Sequence, residues 1–296
     1  MRTDGGVKRV AGADLVLYRE GSSEFYVPDP NRYCEGGLPS KDSPIAFAPN
    51  AAVNRSILVL FHRVNRISRF GDVFCGVGAR AVRLHLEAGV EESVLSDVNP
   101  LACRVARMNV RRHGLKAQVY CHDAAIVLAS FDLDAVDLDV HGSPVPFAQV
   151  AFRGVGDGYV HLTATDLESL YTPAARRKYL LEGPLQERDP ELEARAIVGT
   201  LVRLAASVDV GAFPRYCLVE PRLRVRVCLE CRRGKSYANR ALENLRREPG
   251  VGYVWSGPLT DERTLSKMER ELDRVDWDPE HVEEVRKALG SNILSA

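Results

Sequence analysis

Short apolar runs alternate with segments of helical periodicity from Asp72 onward. The apolar runs predict strands that end near Phe74, Leu95, Cys121, Leu138 and Thr165. The segments between the first three strands predict helices over 79–88 and 100–112. This alternation is typical of βαβ units, so it predicts an α/β fold with a doubly wound, Rossmann-like, mostly parallel sheet.

The second half of the chain predicts an edge hairpin and a small C-terminal domain. The runs 216–219 and 223–229 predict two antiparallel strands at the sheet edge. A helix near 237–247 and charged helical stretches after Asp261 follow them. We therefore expect a main domain with an N-terminal extension over residues 1–232 and a small domain over 233–296.

Composition limits the classes of partner and compartment. The 296 residues carry 40 Lys and Arg against 40 Asp and Glu, so any nucleic-acid surface must be local. The seven cysteines lack a small-scaffold spacing, which favours reduced thiols over disulfides. The apolar stretch 57–61 is far too short for a membrane span. We expect a soluble, cytoplasmic protein with no membrane partner, and the oligomeric state stays open.

A glycine turn and strand-terminal acids predict a ligand site. The first strand runs through Gly76 and Gly78 into a helix, and glycine lets a ligand approach a helix N-terminus closely. Asp97 follows the second strand, where a carboxylate can accept hydrogen bonds from ribose hydroxyls. Asp123 follows the third strand, where it can accept from an adenine amine. Each acid has an alternative role as a helix cap or turn residue.

The fourth predicted strand ends at Asp139. The carboxyl ends of parallel strands form the edge where open α/β sheets bind ligands, so the glycine turn and the three acids are expected to converge on one crevice. A third glycine and the dinucleotide fingerprint are missing, which favours S-adenosylmethionine over a nicotinamide cofactor. A buried acid that caps the following helix is the alternative for Asp139.

Several motifs occur in a fixed order between Glu20 and Leu259. They are Glu20-Gly21, Phe47-Ala48-Pro49-Asn50, Asn54-Arg55-Ser56, Val77–Arg83, Asp97 with Asn99-Pro100, Asp123-Ala124, Thr163-Ala164-Thr165-Asp166, and Trp255 with Gly257-Pro258-Leu259. In this order they resemble the tRNA guanine-26 dimethyltransferases, which are class I S-adenosylmethionine-dependent methyltransferases.

The resemblance implies roles for individual residues. It implies cofactor contacts for Arg55, Gly76, Gly78, Arg80, Asp97, Asp123 and Ala124. It also implies tRNA as the substrate and the exocyclic amine of guanine 26 as the methyl acceptor. That amine is a poor nucleophile because its lone pair is delocalised, and the carboxylate of Asp139 would position it and receive a proton. The target base would have to be flipped out of its stack.

The chain departs from the family after the fourth strand. Val140 and His141 stand where the family has Pro and an aromatic residue, and imidazole is a weaker stacking platform. We name Asp139 and His141 as catalytic candidates, with His141 stacking on or hydrogen-bonding to the base. Two alternatives stay open: a tRNA-binding protein with weakened catalysis, and a methyltransferase for another amine.

Two basic segments are candidates for the local tRNA surface. One is 176–179, with Tyr179 as a stacking residue, and the other is 232–240, with Tyr237. Either segment can instead be an ordinary solvated face. Cys228 and Cys231 lie three apart on a predicted strand and point to opposite faces, so we expect no structural metal there.

Overall fold

The computed structural model of the protein describes residues 6–291 and 293–294. The described residues fall into two compact units. The first comprises those up to Val127 together with Lys267–Lys287, and the second comprises Leu128–Ser266 with those after Lys287. Residues 1–5, 292, 295 and 296 of the expected domains lie outside the description. The expected domain boundary after residue 232 stays a prediction.

The first unit opens with an antiparallel sheet and a long helix. Its early elements are β1 (Lys8–Val10), β2 (Ala13–Glu20), β3 (Ser23–Pro28), α1 (Pro30–Tyr33), β4 (Cys34–Glu35), β5 (Leu38–Pro39), a 3₁₀ turn (Pro49–Ala51) and α2 (Ala52–Asn65). β2 pairs with both β1 and β3. Helix α2 is buried along most of its length, which accounts for its apolar run.

The βαβ part of the first unit follows the predicted alternation. Its elements are β6 (Arg69–Asp72), α3 (Ala79–Ala88), β7 (Glu92–Ser96), α4 (Pro100–Arg112), β8 (Ala117–Tyr120) and α5 (Ala124–Leu128). The three strands are parallel and run in the order β6-β7-β8. Asn99 caps α4 by accepting from the amides of residues 101 and 102. Both predicted helices are confirmed, whereas the first strand ends two residues before Phe74.

The second unit carries the antiparallel edge. Its elements are β9 (Ala135–Leu138), α6 (Val145–Val155), β10 (Gly158–Ala164), a 3₁₀ turn (Leu167–Tyr171), α7 (Ala174–Lys178), α8 (Pro190–Ala206), β11 (Val210–Glu220), β12 (Arg224–Arg233), α9 (Lys235–Leu242), β13 (Leu245–Glu248) and β14 (Gly252–Trp255). Helices α10 (Glu262–Leu272) and α11 (Pro279–Ser291) follow in the chain, and most of each belongs to the first unit. β9 and β10 are parallel, and β12 runs antiparallel to β10 and β11.

The predicted fold class is confirmed, including the antiparallel edge hairpin formed by β11 and β12. The helix expected near 237–247 is wrong in its second half, because α9 ends at Leu242 and β13 pairs with β14. No helix within the described residues combines the length and the apolar character needed to cross a bilayer.

A cluster of buried charges organises the first unit. The Arg83 side chain has 0% exposure and donates to Glu20 Oε1 over 2.9 Å and to Glu87 Oε2 over 2.8 Å. Arg55 donates to both oxygens of Glu20, over 2.7 and 2.6 Å. Burial raises the pKa of Glu20, but the attraction of Arg55 and Arg83 outweighs it and lowers that pKa to about 2. The two acids and two bases therefore balance each other inside the unit.

The charge cluster ties together segments that are remote in sequence. Glu87 accepts hydrogen bonds from Ser23 Oγ over 2.6 Å and from the indole nitrogen of Trp277 over 2.8 Å. Gly21 has a φ of +60°, and a Cβ there would lie 2.6 Å from a guanidinium nitrogen of Arg83. The Glu-Gly motif thus supplies both a carboxylate and the room for its partner.

Replacing Arg83 tests this cluster. We expect Arg83→Met to lower the free energy of unfolding at pH 7 by roughly 3–5 kcal/mol, because it removes the buried cation that pairs with Glu87 and one of the two that pair with Glu20. Since the pKa of Glu20 is lowered from 4.5 to about 2, its contribution is present above pH 4.5 and is lost as the pH falls toward 2. Urea unfolding at pH 7 and pH 3 measures both effects.

Arg104→Met, at an exposed position of α4, is the matched control and should unfold like the unmodified chain. Equal unfolding free energies for Arg83→Met and Arg104→Met at pH 7 would contradict the role given to the cluster.

Candidate active site

The glycine turn leads directly into α3. Gly76 and Gly78 have φ values of +52° and +77°, a region that favours glycine. A Cβ at Gly78 would lie 3.1 Å from Leu95 Cδ2 and 3.3 Å from Ala106 Cβ, so the packing also requires glycine. The turn presents the N-terminal backbone N–H groups of α3, which favour an anionic or polar ligand group.

The turn and the acid after β7 are held together. The Gly76 N–H donates to Asp97 Oδ2 over 2.9 Å, and the Asn99 N–H donates to Asp97 Oδ1 over 2.9 Å. Each carboxylate oxygen keeps a further lone pair, so Asp97 can still accept hydrogen bonds from a pair of hydroxyls. These two elements of the predicted crevice are therefore adjacent.

The segment 44–50 lies against the same turn. Asn99 Nδ2 donates to Pro44 O over 2.8 Å, and a Cβ on Gly76 would lie 3.1 Å from Ala46 O. Phe47 is 5% exposed and belongs to the same apolar cluster as Val77. The Phe-Ala-Pro-Asn motif thus borders the turn.

The two arginines expected to contact the cofactor occupy different settings. Arg55 Nη2 donates to Ala48 O over 3.0 Å, its guanidinium lies 5.0 Å from the centre of the Phe47 ring, and it also binds Glu20. In this arrangement Arg55 supports the segment beside the turn. Arg80 is half-buried in the first turn of α3. Direct cofactor contact by Arg55 or Arg80 stays a prediction.

The third acid caps a helix. Asp123 Oδ1 accepts from the Ala125 N–H over 2.8 Å at the start of α5, which is the alternative left open for it. Ala124, the next residue, is buried at 3% exposure. The Ala125 N–H is bound to one oxygen of the Asp123 carboxylate. An adenine contact by Asp123 and Ala124 stays a prediction.

Two exposed apolar side chains escaped the sequence reasoning. Val98 directly follows Asp97 and is 71% exposed, and Ile126 lies three residues after Asp123 and is 56% exposed. Apolar side chains beside polar anchors are typical of pockets that hold a flat heterocycle. For Val98, the signal in the sequence was an apolar residue immediately after a strand-terminal acid.

Asp139 lies in the second unit, just after β9. Its side chain is 22% exposed, and Oδ1 is 3.9 Å from Arg226 Nη1. Arg226 in turn donates to both oxygens of the buried Asp137, over 3.1 and 2.6 Å. Burial lowers the pKa of Arg226, but the attraction of Asp137 outweighs it and raises that pKa above its ordinary value. Sequence reasoning missed Arg226, although a cation within an apolar strand was a visible signal.

The loop after Asp139 is held by the Thr-Ala-Thr-Asp motif. The Gly142 N–H donates to Thr165 Oγ1 over 2.7 Å, and the Thr165 N–H donates to Gly142 O over 3.0 Å. His141, the residue before Gly142, is exposed, so its ring is accessible to a ligand. The motif therefore holds the backbone directly after His141. Its part in catalysis stays a prediction.

The two basic candidates for a tRNA surface differ in the exposure of their aromatic residues. Tyr179 has 0% exposure and its hydroxyl donates to Asp166, so the expectation that it stacks on a base is wrong. Tyr237 is 43% exposed in α9. A cleft of about 580 Å³ nearby is lined by Arg153, Val208, Asp209, Val210, Arg233, Gly234 and Lys235.

The described residues contain no group of three or more His, Cys, Asp and Glu side chains arranged to hold a metal ion. Cys228 and Cys231 are both buried in β12, and burial raises the pKa of each thiol. They pack as core residues, as expected from the strand spacing.

Sequence comparisons identify relatives over most of the chain. Residues 21–247 match the model of a family described as N2,N2-dimethylguanosine tRNA methyltransferase. The tRNA (guanine(26)-N(2))-dimethyltransferase of Pyrobaculum arsenaticum is 32% identical, with 86% of this chain and 77% of the relative covered. The enzyme of the same name from Pyrobaculum islandicum is 31% identical, again covering 86% and 77%.

A solved structure extends the likeness to three dimensions. Trm1 from Pyrococcus horikoshii, solved with S-adenosyl-L-methionine, is 25% identical and superposes with a TM-score of 0.81, covering 93% of this chain and 82% of that one. The fold class and the resemblance drawn from the motifs are thereby confirmed. The chain belongs to the N2,N2-dimethylguanosine tRNA methyltransferase family of S-adenosylmethionine-dependent enzymes.

Proposed function

We propose that the chain transfers methyl groups from S-adenosylmethionine to the exocyclic amine of guanine 26 in tRNA, in the cytoplasm, with Asp139 as the group that receives the amine proton. The observation that carries the proposal is the hydrogen bond between Gly76 and Asp97, which joins a glycine turn to a carboxylate in a chain of this family. Such a pairing suits a nucleoside cofactor.

The first unit supplies the residues for holding the cofactor. The carboxylate of Asp97 would accept hydrogen bonds from the ribose hydroxyls, and the N–H groups at the α3 N-terminus near Gly78 would donate to a polar group of the cofactor. Val98 and Ile126 would contact the faces of the adenine ring. When bound, S-adenosylmethionine supplies an electrophilic methyl group on a sulfonium centre.

The second unit supplies the acid that acts on the amine. An Asp139 oxygen accepting a hydrogen bond from the guanine N2 amine would orient the nitrogen lone pair for attack. The methyl group would leave the sulfonium sulfur as the N–C bond forms, with S-adenosylhomocysteine as the leaving group, and the Asp139 carboxylate would take the proton that the nitrogen loses, which leaves a neutral product amine. The exposed ring of His141 would stack on or hydrogen-bond to the base. This assignment favours an active enzyme over a binding protein with weakened catalysis.

A basic surface on the second unit suits tRNA. Arg153, Arg233 and Lys235 are exposed around one cleft, and the exposed Tyr237 follows in α9. Cations neutralise phosphates, and an accessible aromatic ring can stack on an unpaired base. Asp209 also lines the cleft, so the surface is locally but not uniformly positive.

Changing Asp97 tests the cofactor assignment. We expect Asp97→Asn to raise the Kd for S-adenosylmethionine by about 10-fold or more, because a hydrogen bond to a charged group is worth roughly 1.5–3 kcal/mol. Isothermal titration calorimetry measures the change. Glu91→Gln, at an exposed position of the same unit, should bind the cofactor as the unmodified chain does. Unaltered affinity in Asp97→Asn would remove Asp97 from the cofactor site.

Changing Asp139 tests the catalytic assignment. We expect Asp139→Asn to lower kcat for methyl transfer to tRNA by about 10²- to 10⁴-fold, since it removes the proton acceptor. Its cofactor affinity should be unchanged. Labelled methyl incorporation into a tRNA transcript gives kcat, with the exposed Asp132→Asn as control. Full activity in Asp139→Asn, or tRNA binding without methyl transfer by the unmodified chain, would contradict the proposal.

Removing two cations tests the RNA surface. The double change Arg233→Ala and Lys235→Ala should weaken tRNA binding and reduce the slope of log affinity against log salt by roughly 1–2. Filter binding over a salt series measures both. The change Arg274→Ala with Arg286→Ala removes the same charge from the first unit and should leave the slope unaltered. Equal slopes in the two variants would place the tRNA surface elsewhere.

A further inference from the structure

The side chain of Arg226 is buried in the sheet close to Asp139. Arg226 in β12 is 1% exposed, and it donates to both carboxylate oxygens of Asp137, which is 0% exposed. Its Nη1 also donates over 2.7 Å to the hydroxyl of Thr163, the residue directly opposite in β10. Asp137 therefore pairs directly with the buried charge, and Thr163 helps to fix the plane of the guanidinium.

The same Nη1 atom lies 3.9 Å from Oδ1 of Asp139. Asp137 and Asp139 are two positions apart, so on extended backbone their side chains leave the chain on the same side. The separation is an ion pair without a direct hydrogen bond. Arg226 thus attracts Asp139 without donating a hydrogen bond to Oδ1 across this distance.

The two donor nitrogens of Arg226 are directed at Asp137 rather than at Asp139. A guanidinium that meets a carboxylate freely forms a bidentate pair, which would occupy both oxygens of Asp139. Here Asp137 receives that fork, with contacts of 3.1 and 2.6 Å. Arg226 then attracts Asp139 from a position that its bonds to Asp137 and Thr163 fix.

We propose that Arg226 is a positioning residue for Asp139: its guanidinium, anchored by Asp137 and Thr163, holds the Asp139 carboxylate in the orientation that meets the guanine amine. The inference rests on the proposed role of Asp139. Arg226 itself does not touch the substrate, and its effect is confined to the rate of methyl transfer.

Arg226→Lys is the direct test, because an ammonium can pair with Asp137 but lacks the planar fork that also places Nη1 beside Asp139. We expect kcat to fall on the order of 10-fold, since small misplacement of a catalytic group slows the reaction strongly. The KM for tRNA and the Kd for S-adenosylmethionine should not change. Arg224→Lys is the matched control: Arg224 lies two residues earlier in β12, is 6% exposed and pairs with Glu220. It should retain kcat.

A double-mutant cycle separates positioning from a structural role. If Arg226 acts through Asp139, Arg226→Lys will not further reduce the residual rate of Asp139→Asn. An equal loss in both backgrounds, or full kcat in Arg226→Lys, overturns the inference. Full kcat in Asp139→Asn alone overturns the proposed function as well. An inactive Asp139→Asn beside a fully active Arg226→Lys overturns only the inference about Arg226.

A second variant covers the case in which Arg226→Lys does not fold. Arg226→Met combined with Asp137→Leu removes the buried pair as a unit, and apolar replacement of a buried ion pair is often tolerated. We expect a folded protein, verified by circular dichroism, with lowered kcat and unchanged KM. Full kcat in this folded double variant would overturn the inference.

Discussion

Arg83 carries a full charge where no solvent reaches it, and the first unit is arranged around that constraint. Its carboxylate partners, Glu20 and Glu87, come from an N-terminal strand and from its own helix. Glu20 also binds Arg55, which donates to the backbone of Ala48 in the segment that borders the glycine turn. A chain of contacts therefore runs from the buried charges to the expected cofactor site.

The second unit also contains a buried arginine that is paired with a carboxylate. Arg226 in β12 is almost as deeply buried as Arg83, and Asp137 in β9, two strands away in the sheet, pairs with it. The partly exposed Asp139 lies at the margin of this pair. Buried pairs of this kind add little net stability compared with apolar residues, so their value lies in fixing geometry. In each unit, the buried charges contact residues to which the family resemblance assigns a role in cofactor binding or catalysis.

Elements whose limits depend on local sequence signals were predicted from the sequence. Gly78 and Pro100 mark the starts of α3 and α4, and both helices were predicted to the residue. Arg226 was not found, because its relation to Asp137 depends on strand register and on which strands are neighbours. The burial of Tyr179 was missed for the same reason, since a basic run looks exposed until its tertiary partners are known. The resemblance identified the family, whereas the contacts of Arg55 and Asp123 required coordinates.

Nucleoside mass spectrometry of tRNA treated with the purified chain and S-adenosylmethionine tests the central claim most directly. Two transcripts are compared, one with guanine at position 26 and one with adenine there. The account predicts N2-methylated guanosine in the first transcript and none in the second. Methylation of both transcripts alike, or of neither while the chain binds the cofactor, would contradict it.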